Sequence, residues 1–559
     1  MPDQPSAPVR IAIAAAATLV TLAAAAAVIF LLYTVTNSAI PFDTDEANHA
    51  ADGWQIYHAL TNLAPGELLR AVTDQSFYPP VHSFFVAAGY LLAGPSLSTS
   101  RLPTVATLVL TLLGLAWITF RLARRDAGPP PATRWLSLAG ATFAVALAIT
   151  NKAFLTNAVL VMQEMTGAFL GIGLLLVVDG AERTQQRRGR WIGLVAAALI
   201  AILLGLTKYS FGLFYVPAIL AALVTAQWPW QASRRAWIEV TAVSAIAVSG
   251  FGLWLLVTDR ATVLLFLTDH GRAAPLLAAE NLLYFPTAWF SQYAASLLVA
   301  MITTLLAIIG AARQWGKLAV RVAVWTIAAA LISLTIARVQ EPRHLLPVTP
   351  AAWMLAGLGL VEVLRWLRRS AHGDNKVLFA VLILFATVAV SAIKPALALP
   401  ADLTVVFEGA PAFSQAQDFA LEQVDLNRPV LFIGDFSDQV GLMAVRWRAA
   451  TLAGKNLWDL DVDYFPFEFF EHSMARTHRK AQIATVDPTF PREYMNEVLA
   501  RNHYASLVEL KYRTNYFGPR SSNPEDPLCP FGIQETWFDD WVVIVYDIAA
   551  GPVNACVIP

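Results

Sequence analysis

Charge is scarce in this chain of 559 residues. Asp, Glu, Lys and Arg together make up 14% of it, where a soluble globular chain carries about 25%. The shortage excludes a string of ordinary soluble domains, although length alone would suggest about three or four. It does not signal disorder either, because 57% of the residues are hydrophobic and 11% aromatic. Neither sign of charge dominates: 39 Lys and Arg stand against 40 Asp and Glu, a net charge of -1. That balance leaves no basic footprint, so nucleic acid is not an expected partner. Cysteine is reduced to Cys529 and Cys556. No Cys/His spacing suggests zinc, and the two thiols are free to pair in an oxidising compartment or to stay buried and reduced. A Gly-rich phosphate-cradling loop is missing, and so is any internal repeat.

Long apolar runs take the place of charge. A helix needs ~20 apolar residues to cross the hydrocarbon core of a bilayer. Eleven runs approach or exceed that: 11–34, 102–120, 135–150, 153–178, 191–207, 210–227, 236–258, 282–310, 319–336, 345–364 and 377–393. The first is too long for a signal-peptide core and has no cleavage-like site after it, so it reads as a retained anchor. A twelfth stretch, Val81–Ala93, is shorter and lies between Tyr78-Pro79-Pro80 and Gly94-Pro95.

The Lys/Arg distribution decides how the short stretch is read. If it does not cross, five short loops on one side collect Arg121, Arg124, Arg125 and Arg134; Arg183, Arg187, Arg188 and Arg190; Arg234 and Arg235; Arg313, Lys317 and Arg321; and Arg365, Arg368, Arg369 and Lys376. If it does, all five move outside while the Arg10 end stays inside. The expectation is therefore eleven transmembrane helices, a cytoplasmic N-terminus, and Val81–Ala93 lying along or dipping into the outer face. High Ala, Arg and Leu with little Lys suit a GC-rich bacterial genome, which would place the chain in the cell (inner) membrane.

From about Lys394 charged and aromatic residues rise and apolar runs shorten. Residues 429–433 and 541–546 read as buried strands and 415–424 as a helix. The fold class expected is an α-helical polytopic membrane domain, 1–393, with a catalytic first outer loop, 41–101. It is followed by a soluble C-terminal α/β domain, 394–559, in the periplasm or outside the cell. The stretch LWDLDVDYFPFEFF at 457–470 suits sugar binding, but it suits packing at a membrane surface better.

Charge retained near a bilayer calls for an explanation. Asp43, Asp45 and Glu46 follow the first run directly. Carboxylates this close raise one another's pKa, a way to hold a general base near neutral pH. They equally suit a helix N-terminus, with Asp43 or Thr44 as cap and Asp45 and Glu46 on the positive end of the dipole. On the same expected face lie Tyr78-Pro79-Pro80-Val81-His82, Arg101, Glu164, Lys208-Tyr209, and Arg338, Glu341, Arg343 and His344. Each has a plainer role open to it. Arg101 and Lys208 can snorkel, Glu164 can pair with a neighbouring helix, and Arg343 can pair with Glu341. Their convergence on one face is what points to a site.

Asp45-Glu46 after a first span, a Pro-Pro segment, Arg101-Leu102-Pro103, Leu206-Thr207-Lys208-Tyr209 and Glu341-Pro342-Arg343-His344-Leu345-Leu346-Pro347 together resemble polyprenyl-phosphate-dependent glycosyltransferases of the GT-C superfold. The nearest groups are the protein O-mannosyltransferases and the bacterial aminoarabinose lipid A transferases. The resemblance covers about residues 11–393. It implies a catalytic carboxylate at Asp45 with Glu46 beside it, a carboxylate opening the fourth span at Glu164, and juxtamembrane helices in the first outer loop. Relatives often carry Lys or His before the Pro-Pro pair; here Tyr78 stands there.

The implied partners are a polyprenyl-phosphate-linked sugar donor, the membrane lipid around it, and a glycan, lipid or protein acceptor. The implied reaction is direct displacement with inversion, with Asp45 as general base and Lys208, Arg343, Arg101 and His344 meeting the phosphate. No cofactor is expected, although a divalent metal beside Asp43 and Asp45 would suit their hard oxygen ligands. Two other classes compete. A transporter or flippase would explain an intramembrane Glu164, and a non-catalytic envelope-assembly subunit would explain the tail.

Overall fold

The computed structural model describes residues 5–37, 42, 44–125, 130–184, 186–226, 234–263, 278–336, 341–370, 372–405, 410–428, 430–434, 442–466, 482–487, 533–538 and 541–547. Asp43, Arg338, Cys529 and Cys556 lie outside them. Eight helices among these residues are long and apolar enough to cross a membrane, and a ninth span results if the bent pair Ala279–Gln292 and Leu297–Arg313 is counted as one. Val81–Ala93, Arg134–Ile149 and Tyr209–Thr225 are shorter apolar helices. The chain is a multi-pass membrane protein.

Two of the expected spans prove to be discontinuous. The run 153–178 divides into Lys152–Asn157 and Gln163–Arg183. Asn151 caps the first piece by accepting from Phe154 N at 2.7 Å, and Glu164 falls in the first turn of the second piece, at the start of a candidate span. The run 282–310 bends by 112° between its two helices, where the Ser296 hydroxyl accepts from Val299 N and starts the second. The last apolar run continues as one helix, Gly373–Val405, through Lys394, Pro395 and Pro400. The change in composition at Lys394 therefore marks no structural boundary.

The chain forms two compact units. The first comprises 1–36, 72–85 and 101–403; the second comprises 37–71, 86–100 and 404–559. In the first, helix Thr349–Arg368 is buried over most of its length and packs through glycines. Gly357 faces Gly140 and Gly359 faces Leu306, so closely that a Cβ on Gly359 would lie 1.8 Å from the Leu306 carbonyl oxygen. Small residues that let backbones touch are how helices pack where lipid offers no hydrophobic drive.

One end of this bundle is tied by ion pairs among the basic loops. Buried Asp179 binds Arg121 at 2.9 Å and Arg183 at 2.8 Å. Arg190 pairs with Glu239 at 2.7 Å, Arg365 donates to the Ala123 carbonyl at 2.6 Å, and Lys317 donates to that of Leu122 at 2.5 Å. The loops that the charge pattern puts on one side therefore do gather at one end.

The second unit holds a five-stranded sheet of β1 (Val430–Gly434), β2 (Val462–Pro466), β3 (Gln482–Asp487), β4 (Ile533–Phe538) and β5 (Trp541–Asp547), in the order β2-β1-β3-β5-β4. Strands β2, β1 and β3 are parallel, and β5 is antiparallel to both β3 and β4. Between β1 and β2 runs helix Leu442–Ala453, the kind of crossover a parallel pair requires. That helix packs on the first-loop helix Thr44–Thr61. Trp447 is its anchor, with its ring edge-on to Phe42 at 4.8 Å and its Nε1 donating to the Tyr90 hydroxyl at 3.1 Å. Trp54 Nε1 donates to the Lys455 carbonyl at 3.0 Å, and the Arg70 guanidinium lies 4.1 Å from the Trp458 ring centroid. The start of the aromatic, acid-rich stretch at 457–470 thus packs within its own unit.

Candidate active site

In the first unit the chain builds a charged cluster from three helix breaks. The helix Arg187–Gly205 ends, and Lys208 takes extended backbone before Tyr209 starts the next helix. The carbonyl freed at Leu206 accepts from Val81 N at 3.0 Å, the first donor after the two prolines, which have none. The Tyr209 hydroxyl donates to the Ser76 carbonyl at 2.8 Å and accepts from Trp254 Nε1 at 3.0 Å. His82 Nδ1 lies 2.9 Å from the Thr166 hydroxyl. These bonds fix the Pro-Pro segment against the helix starts at Gln163 and Tyr209.

Within that frame the Lys208 ammonium donates to Glu164 at 2.8 Å, with Glu164 2% and Lys208 12% exposed. Arg343 and His344, on the short 3-10 turn Pro342–Leu345, are close enough to act electrostatically on the same carboxylate. Arg343 also pairs with Glu341 and points Nη1 toward Met162 Sδ at 3.6 Å. Tyr293 donates to the Pro342 carbonyl at 2.5 Å and steadies the turn. Glu164 opens its helix, where the dipole favours negative charge. The cluster thus joins four of the residues singled out from sequence: Glu164, Lys208, Arg343 and His344.

The other candidates are placed as follows. Arg101 is 2% exposed near the start of Leu97–Arg124, so it is buried and not snorkelling. Tyr78 is half-buried, with its ring edge-on to Phe77 at 4.7 Å. Asp45 and Glu46 belong to the second unit, in the first turn of Thr44–Thr61, with Asp45 partly exposed and Glu46 1% exposed. Among the described residues no three His, Cys, Asp or Glu side chains cluster as metal ligands.

Two cavities border the 3-10 turn. One, of about 360 Å³, is walled by Phe285, Trp289, Leu331, Leu345, Val348 and neighbouring apolar side chains. The other, of about 1020 Å³, is polar and includes Lys152, Glu341, Arg343 and Lys394. Sequence reasoning missed Lys152 and Tyr293. The one signal for Lys152 was its place at the break between two apolar runs.

A profile of the Alg9-like mannosyltransferase family matches residues 280–423, which include the bent helix pair and the Arg343–His344 turn. No curated protein matches in sequence. Among solved structures, ArnT from Cupriavidus metallidurans bound to undecaprenyl phosphate superposes with a TM-score of 0.59 at 16% identity, over 97% of this chain and 99% of that one. The apo form of the same protein gives 0.58 at 17% identity, over 98% and 100%. At such identity the likeness is one of fold. Through that fold, and through the family pattern in 280–423, the chain resembles the GT-C group of membrane glycosyltransferases.

Proposed function

We propose that the protein transfers a sugar from a polyprenyl-phosphate donor to an acceptor hydroxyl at the outer face of the cell membrane. The observation that carries this reading is the Lys208–Glu164–Arg343–His344 cluster beside a predominantly apolar cavity, on a fold shared with an undecaprenyl-phosphate-bound protein. The turn that carries Arg343 and His344 ends on Leu345, which lines that cavity. An isoprenoid chain fits the apolar walls, and its phosphate would meet the cations.

In the reaction the acceptor oxygen bonds to the anomeric carbon as the carbon–oxygen bond to phosphate breaks, with inversion. Asp45 takes the acceptor's proton as general base, with Glu46 buried beside it in the same first turn. The bond electrons leave with the polyprenyl phosphate, whose growing charge Lys208, Arg343 and His344 stabilise. The tail helix Leu442–Ala453 packs on the helix Thr44–Thr61 that carries Asp45, which gives the tail a positioning role.

The test mixes purified wild type, Asp45→Asn and Lys208→Met with a radiolabelled panel of polyprenyl-phosphate sugars and follows sugar leaving the lipid. The expected result is turnover by wild type only, with donor binding kept in Asp45→Asn and weakened in Lys208→Met. Absence of donor binding by wild type, or full turnover by Asp45→Asn, overturns the assignment and favours a transporter or scaffold.

A further inference from the structure

The polar cavity of about 1020 Å³ is larger than the phosphate of a donor requires, and its chemistry is distinct from that of the apolar one. Three cations, Lys152, Arg343 and Lys394, line it against one carboxylate, Glu341, and Glu341 is already paired with Arg343. No carboxylate among the described residues pairs with Lys394. The walls are pinned: the Ser296 hydroxyl donates to Ser391 at 3.0 Å, Asn151 Nδ2 donates to the Gln292 carbonyl at 3.5 Å, and Tyr293 holds Pro342.

The Gly373–Val405 helix forms one side. Val390, which lines the cavity, is 68% exposed, and beside Lys394 it carries Ile393 at 56% and Leu397 at 75%. On a helix of this length and apolarity, such a face is solvated by acyl chains. A site that is cationic inside and open along an acyl-facing helix fits an amphiphile whose acidic head enters from the bilayer.

We propose that this cavity binds the phosphate headgroup of an acidic glycerophospholipid from the surrounding bilayer, with Lys152 and Lys394 on the phosphate and the acyl chains along the Val390–Leu397 face. The site is separate from the donor cluster, shares only Arg343 with it, and does not depend on the transferase reading. Its volume, about 1020 Å³, leaves room for a headgroup larger than a bare phosphate.

Native mass spectrometry of the full chain in detergent tests this, with phosphatidylglycerol, phosphatidylcholine and undecaprenyl phosphate as separate probes. Both lysines are exposed, so Lys152→Ala/Lys394→Ala leaves the packing intact, and Lys394→Glu is a second variant should the double one fail to fold. Wild type binds phosphatidylglycerol in preference to phosphatidylcholine. Either variant weakens that binding about tenfold or more, while undecaprenyl phosphate binds as in wild type. Lys394→Arg keeps phosphatidylglycerol affinity. Equal affinity for the two phospholipids, or undiminished phosphatidylglycerol binding in the variants, overturns the proposal. Loss of undecaprenyl phosphate binding in the lysine variants also overturns it, because the cavity would then belong to the donor.

Discussion

Glu164 and Lys208 offer the sharpest perturbation. They meet at 2.8 Å with 2% and 12% exposure. At an effective dielectric near 20, unit charges at that separation attract by about 6 kcal/mol, most of it offset by the cost of desolvating both. Removing one partner of such a pair costs about 3–5 kcal/mol, because the other charge is left buried and uncompensated. Glu164→Gln and Lys208→Met should each lose about that much stability, and the double variant should lose less than their sum by about 2 kcal/mol or more. Unfolding of the four proteins in one detergent, by denaturant titration, gives this coupling directly.

Donor affinity separates their roles. Lys208→Met removes a charge-assisted bond worth about 1.5–3 kcal/mol, so donor binding falls about tenfold to a hundredfold. Glu164→Gln removes a negative charge beside an incoming phosphate, so donor binding holds or tightens. Additive destabilisation would show that the pair is not coupled. Equal loss of donor affinity in both variants would show that Glu164 is not the counter-charge we describe.

Other substitutions probe the frame. Gly359→Ala drives a methyl into the Leu306 backbone, with oxygen at 1.8 Å and carbon at 2.6 Å. It should cost at least about 3 kcal/mol, whereas Gly173→Ala, with nothing within 4 Å, should stabilise by about 0.5–1 kcal/mol; thermal unfolding in detergent compares them. Asp179→Asn removes the buried anchor of Arg121 and Arg183. The guanidiniums reach solvent, so the loss should be about 2 kcal/mol, with donor affinity unchanged because Asp179 lies about 22 Å along its helix from Glu164. Trp447→Ala empties the contact between the tail helix and Phe42. It should lower turnover at Asp45 while donor binding, measured by equilibrium titration, stays at the wild-type level; a parallel fall in both would remove the positioning role of the tail.

The helices were legible because lipid solvation demands uniform apolarity, and that survives in a single sequence. The breaks were not. Residues 158–162 stay apolar across the interruption between Asn157 and Gln163, so hydropathy runs through it without a mark. The 112° bend had a local mark, Ser296 in a helix-capping position, but hydropathy averages over it. Strands β1 and β5 were visible because each is a continuous apolar run, and each lies between two others in the sheet. Strand β2, at the edge, mixes Asp463 with Tyr464 and Phe465 and reads as a surface. That the first loop would join the tail in one unit was out of reach: Trp54 and Lys455 are 401 residues apart, and no local pattern records a contact at that distance.

The same limit applies to the site, and it bears on how the site would work. The sequence supplied the charged residues and left two readings open for each, pairing or ligand binding. The geometry makes these compatible. Lys208 is held by Glu164 and Arg343 by Glu341, so the cations are oriented before any ligand arrives and need no reorganisation during reaction. A carboxylate on each also weakens their pull on a donor phosphate carrying a single charge. When the sugar leaves, that phosphate gains a second charge, and each carboxylate weakens the pull on it as much as on the first. The pairs therefore favour turnover by holding the cations in place and not by the charge of the carboxylates. Removing a carboxylate should tighten donor binding, and sugar transfer should slow only as far as Lys208 and Arg343 lose their fixed positions.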